Sequence, residues 1–123
     1  MNGKEILIDT NIALYLLNGS TTLADLLQGK NPYISFITEL ELIGFKTITS
    51  KEEKQIVSFI NDCTIVSLSN NIKLNYVSIR RKYKLKLADS IIAATAISLN
   101  LPMITGDKQF RTIEELNLIF YEQ

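Results

Sequence analysis

The chain contains 13 acidic residues, 13 basic residues and no histidine, and that combination narrows its chemistry at once. Without histidine there is no usual general base, no Ser-His-Asp triad and no His-based metal site. The lone Cys63 excludes an internal disulfide and a Cys-rich zinc or iron–sulfur site, and reads as a small buried apolar residue. Catalysis must then rest on carboxylates, hydroxyls or lysines. Oxygen donors of this kind favour hard cations, magnesium or manganese, over zinc or copper. Asp9 closes the apolar run EILID, at a strand end that needs no helix cap. Glu41 lies just beyond the run YISFI, and Asp107 just beyond MIT. Asp89 sits among Leu87, Ala88, Ile91 and Ile92, where a carboxylate requires a partner or a cation. Taken singly, each acid has a structural explanation as a helix cap or dipole partner. Gathered together they would repel one another unless a cation neutralised them. Two metals roughly 3.5–4 Å apart in such a cluster would activate a water and stabilise the leaving oxygen of a phosphodiester.

A polyanionic substrate needs positive charge nearby, and the formal net charge of zero supplies no attraction over the whole surface. Arg80, Arg81, Lys82, Lys84 and Lys86 form a dense basic stretch leading to Asp89. It is a candidate for holding an RNA backbone, with Arg80, Arg81 and Lys82 as the RNA-binding residues. A solvated helix face is the other reading of the same run. Tyr15, Tyr33, Tyr76 and Tyr83 fall on apolar patterns and read as core rather than as base-stacking platforms.

The elements that must position these groups can be read from the hydrophobic pattern. Strands are expected at Glu5 to Asp9, Tyr33 to Ile37, Thr64 to Leu68, Met103 to Thr105 and Leu118 to Tyr121. Helices are expected from Ile12 to Leu17, around Leu23 to Leu27, from Thr38, from Ser50 to about Asn61, and along Ile72, Tyr76, Ile79 and Tyr83. Ala88 to Leu99 reads as a buried helix ending at Asn100 in a left-handed conformation. The Thr-x-x-Glu form of a capping box places helix starts at Thr38, with Glu41 as its last member, and at Thr112, with Glu115; Ser50 and Glu53 repeat the signature. Strands alternating with helices imply a parallel sheet covered on both faces by right-handed crossovers. Ligands bind such sheets at the carboxyl ends of the strands, so Asp9, Glu41 and Asp107 should meet at one edge.

At 123 residues the chain falls in the range of one domain, read here as spanning residues 1–123. Its 46% apolar and 21% charged content is ordinary globular composition, with disorder expected nowhere but the two ends. No apolar run approaches the roughly 18 residues of a membrane span, and MNGKEILID lacks a signal segment. A cytoplasmic protein without a membrane partner is expected.

The segments LIDTNIALYLL, ISFITELELIGF and LADSIIAATAISLNLPMITGDKQF together resemble the PIN-domain ribonucleases, specifically the VapC toxins of prokaryotic toxin–antitoxin pairs. The resemblance covers nearly the whole chain, and the last segment is its most specific part. It implies a PIN-like, Rossmann-like α/β fold of three layers around a five-stranded parallel sheet, and a magnesium- or manganese-dependent endoribonuclease. The family's acids fall on Asp9, Glu41, Asp89 and Asp107, and its polar supporting positions on Asn11 and Thr105. Glu39 is a rival to Glu41, although the pattern of Thr38, Glu41 and Leu42 favours the latter. Gln109 departs from the family where many relatives carry a further acid, which makes Asp107 the least secure ligand. A homodimer and a small antitoxin that blocks the site are also implied. Outside this reading stand a non-catalytic PIN-fold module that binds RNA or protein, and a haloacid-dehalogenase-type phosphatase. The latter requires a second Asp where this chain has Asn11.

Overall fold

A computed structural model describes residues 3–46 and 49–122. The expectation of disorder at the two ends falls partly on residues 1–2 and 123, outside those described.

Five short strands form one sheet: β1 (Glu5–Ile8), β2 (Asn31–Ser35), β3 (Thr64–Val66), β4 (Met103–Thr105) and β5 (Leu118–Phe120). All neighbours are parallel, in the order β3-β2-β1-β4-β5. The helices are α1 (Thr10–Leu17), α2 (Thr21–Leu26), α3 (Phe36–Ile43), α4 (Ser50–Asn61), α5 (Asn70–Lys82) and α6 (Leu87–Leu99), followed by the 3₁₀ turn Lys108–Thr112. The expected α/β fold with a five-stranded parallel sheet flanked by helices is therefore present.

The central strands carry apolar residues without interruption because both of their faces are covered. Alternate residues serve opposite cores. Ile6, Ile8 and Ile104 pack with Ile12, Leu23, Ile34, Leu42 and Ile56, whereas Leu7 and Met103 pack with Ile79, Ile92, Ala96 and Phe110. The small side chains of α6 let it lie close to the sheet: Ala93 and Ala94 are fully buried and Ala96 nearly so. Asn100 ends α6 at φ 53°, the expected left-handed position.

Strand and helix boundaries differ from the sequence reading where capping residues compete. Ser35, not Thr38, caps α3, accepting from the Ile37 amide at 3.2 Å. The strand therefore ends two residues early, and Phe36 and Ile37 are helical. In α4 the capping box is Thr49 with Glu52, one residue ahead of Ser50 and Glu53. The last turn is opened by Asp107 and covers Lys108–Thr112, so Thr112 ends it rather than starting one. Asp9 also differs from expectation, because α1 begins directly after β1 and Asp9 is its N-cap.

Chain order defines where the site must lie. From β1 the chain proceeds outward to β2 and β3, then α5 and α6 carry it back past both to β4 on the other side of β1. The switch point is the crevice between the carboxyl ends of β1 and β4. Register sets Ile8 beside Ile104, so the next residues, Asp9 and Thr105, emerge side by side.

Candidate metal centre

Asp9, the first residue beyond β1, is 3% exposed. One carboxylate oxygen accepts from the Ile12 amide at 2.9 Å, and the other accepts from the Thr105 hydroxyl. Thr105 is fully buried, and its hydroxyl in turn accepts from the Asp107 amide at 3.0 Å. A single threonine on β4 thus joins Asp9 to the backbone of Asp107. The Asp107 side chain accepts from the Gln109 amide at 2.9 Å. That bond uses the main chain of residue 109, so the Gln109 side chain is not needed for it.

Glu41 reaches the site from the C-terminal half of α3, where the helix dipole disfavours a carboxylate. It is therefore no member of a helix-starting box. Its Oε1 accepts from the Thr10 hydroxyl at 2.6 Å, and Thr10 and the buried Thr38 hydroxyl lie 3.1 Å apart. The Thr38 hydroxyl, read from sequence as a cap, instead fills the space behind this contact. Asp89 lies in the first turn of α6, which has no side-chain cap. Half-buried, it accepts no hydrogen bond among the described residues.

These groups line one cleft of ≈ 620 Å³, bounded by Asp9, Thr10, Asn11, Glu41, Lys86, Asp89 and Asp107 with Leu14, Leu40, Phe45 and Ile92. All four acids singled out from sequence and Asn11 face this space; Glu39 does not line it, and Thr105 stands behind. Arg80, Arg81 and Lys82 are exposed on the last turn of α5 and do not line the cleft. Lys82 instead pairs with Glu115 at 3.3 Å, and Glu115 also accepts from the Tyr83 hydroxyl at 2.6 Å. Lys86, a member of the same basic run, is the one cation lining the cleft among the described residues. Thr10, Thr38 and Lys86 were not separable by sequence pattern, because their roles depend on which crossover returns beside which strand.

Burial raises the carboxyl pKa of Asp9, and the charges of Asp107 and Asp89 raise it further against the hydrogen bonds from Thr105 and Ile12. Burial also raises that of Asp89, followed by the charges of Asp107 and Glu41, while Lys86 opposes the shift. Among the described residues no three acidic or cysteine side chains stand close enough together to hold an ion as they are. The donor chemistry nevertheless suits a hard divalent ion: it is all oxygen, includes the unpartnered Asp89 carboxylate, and carries like charges that a cation would relieve.

The PIN domain model matches residues 6–116. This chain belongs to the PIN domain family. The PIN domain is similar to a chain of a toxin–antitoxin complex from Klebsiella pneumoniae, at 32% identity and a TM-score of 0.81, covering 96% of this chain and 99% of that one. It is similar to a chain of VapBC-1 from nontypeable Haemophilus influenzae at 25% identity and a TM-score of 0.82, covering 94% and 97%. A chain of VapBC2 from Rickettsia felis, bound to a DNA fragment from its promoter, shares the fold at 20% identity and a TM-score of 0.83, covering 96% and 99%. A comparison with curated protein sequences finds no match. No helix among the described residues is long and apolar enough to cross a membrane.

The raised carboxyls of this PIN domain make a signed pH prediction. Asp9 and Asp89 hold their protons more tightly in the folded chain than at the unfolded value of 3.8. The folded state then binds more protons, and its stability in EDTA falls as pH rises from about 3.8 through the raised values. Asp89→Asn removes one contributor. Its stability relative to the parent should be unchanged by pH below that window and should improve progressively through it, as measured by urea denaturation at a series of pH values.

Proposed function

We propose that this PIN domain is a magnesium- or manganese-dependent endoribonuclease and the toxin of a toxin–antitoxin pair. The observation that carries the reading is the convergence of Asp9, Glu41, Asp89 and Asp107, from four separate segments, on one cleft at the switch point of the sheet. Helix capping explains Asp9 and Asp107 in part, but not Glu41 near the end of α3, nor Asp89 without a hydrogen-bond donor. The similarity to chains of toxin–antitoxin complexes supports an antitoxin as partner. A homodimer, a single domain over residues 1–123 and a cytoplasmic location complete the proposal.

Asp9, Glu41, Asp89 and Asp107 would hold the metal, with Asn11 lining the same cleft. A divalent ion bound here supplies the positive charge that activates water and stabilises a leaving oxygen. Thr105 fixes the rotamer of Asp9 and the backbone of Asp107 together, so the two carboxylates keep one geometry. Thr10 orients Glu41, backed by Thr38. Arg80, Arg81 and Lys82, exposed at the end of α5, extend the track for the RNA backbone away from the cleft.

The test is cleavage of a labelled RNA by the purified chain. Activity is expected to vanish in EDTA and return when manganese or magnesium is added in excess. Undiminished cutting in EDTA would overturn the metal-dependent reading, and failure to cut RNA with either metal would leave a binding module in its place.

A further inference from the structure

We propose that Lys86 holds the RNA backbone at the cleft, its ammonium donating to a phosphate oxygen beside the bond that is cut. The inference rests on the nuclease reading above. It starts from a cation standing where the surrounding groups are acids. Lys86 lines the same cleft as Asp9, Glu41, Asp89 and Asp107. The residue is exposed, and its side chain makes no hydrogen bond or ion pair among the described residues. A lysine recruited only to neutralise a neighbouring carboxylate would close a short contact with it, as Lys82 does with Glu115 at 3.3 Å. Lys86 closes none.

Its main chain, by contrast, is fixed. Lys86 is the N-cap residue of α6, and its carbonyl accepts both from the Ser90 amide and from the buried Ser90 hydroxyl, each at 2.9 Å. The stem therefore starts from a rigid point three residues before Asp89, and only the flexible end of the side chain is free to move. A phosphate approaching four carboxylates is repelled at long range, and the zero net charge of the chain provides no compensating field. An unpaired ammonium at the mouth of the cleft supplies local attraction, and a compact point charge suits a phosphate oxygen without demanding one angle of approach. Lys86 is thus a binding residue for the polyanion. Arg80 and Arg81 do not share its place at the cleft.

The experiment compares the parent chain with Lys86→Met and Lys86→Arg, using a labelled single-stranded RNA. With manganese, Lys86→Met is expected to raise KM about tenfold while lowering kcat much less, and Lys86→Arg to restore most of the loss. Binding of the same RNA is then measured against salt concentration in an Asp9→Asn background, with and without Lys86→Met. Loss of one phosphate contact should flatten the log–log salt slope by about 0.7. Unchanged KM and slope in Lys86→Met, in a parent that cuts RNA, would overturn the role of Lys86 alone. An Arg variant as impaired as the Met variant would also overturn it. A parent chain that neither cuts nor binds RNA would overturn the nuclease reading, and this inference with it.

Discussion

Asp9→Asn is expected to reduce RNA cleavage by about two orders of magnitude or more, the scale seen when a preorganised electrostatic group is removed from a site. The same change should leave the fold in place. Asp9 caps α1 through the Ile12 amide, and Asn caps nearly as well as Asp. Removal of the charge relieves the repulsion from Asp107 and Asp89 and the burden of burying a carboxylate at 3% exposure. One loss opposes these gains. The Thr105 hydroxyl donates to Asp9 and accepts from the Asp107 amide, so an Asn amide turned toward it can donate to the remaining lone pair but leaves the hydroxyl proton without its acceptor. Stability in EDTA should therefore stay within about 1 kcal/mol of the parent, the size of one net hydrogen bond. Thermal melts in EDTA and cleavage with manganese measure the two effects separately. Full activity would sink the proposed site. A large loss of stability with activity intact per folded molecule would assign Asp9 to structure alone.

The second large effect is on stability. Phe110 is 1% exposed and packs with Leu7, Ile79, Ile92, Met103 and Ile113, joining the 3₁₀ turn after β4 to the sheet and to α6. Phe110→Ala is expected to cost about 3–5 kcal/mol, from lost transfer energy and the cavity left behind. A shift of that size in the urea midpoint, with the slope unchanged, is the expected reading. The same ring anchors the turn that Asp107 opens. Surviving folded protein should consequently bind manganese more weakly than the parent when titrated below its melting range. A cost under about 1 kcal/mol would mean that the neighbouring side chains collapse into the space.

Much of this architecture was legible in the residues because the apolar pattern is consistent over whole elements. β1, β4 and α6 carry apolar or small residues on nearly every face, and only a sheet covered on both sides accommodates that. Asp9, Glu41 and Asp107 could be placed at one sheet edge from chain order alone, since parallel strands bring all their carboxyl ends to the same side, whereas Asp89 was singled out by its apolar neighbours. Helix starts were less legible, for a local reason. Ser35 and Thr38, or Thr49 and Ser50, offer equivalent hydroxyls within a few residues, and the end of the strand ladder decides which one caps. The double use of Asp9, as cap and as cleft wall, follows from α1 beginning directly after β1. Lys86 shares a basic run with residues pointing elsewhere, and only the packing of α6 against the sheet separates it from them. Cys63 is half-buried beside the first core, where burial pushes its thiol up to about 11, in keeping with an apolar, unreactive role.

The hydrogen bond between Asp9 and Thr105 spans 96 positions of sequence. Every residue between them must be made before that bond can close. During synthesis the first strand leaves the ribosome early, yet Asp9 stays without its β4 neighbour until α5, α6 and β4 have followed. At about 5–20 residues per second, that interval lasts several seconds. A chain interrupted between Asp89 and β4 carries Asp9, Glu41 and Asp89 but lacks the threonine and the aspartate that complete the cleft. The cleft is thus completed only by the last quarter of the chain, and no shorter N-terminal piece brings its four acids together.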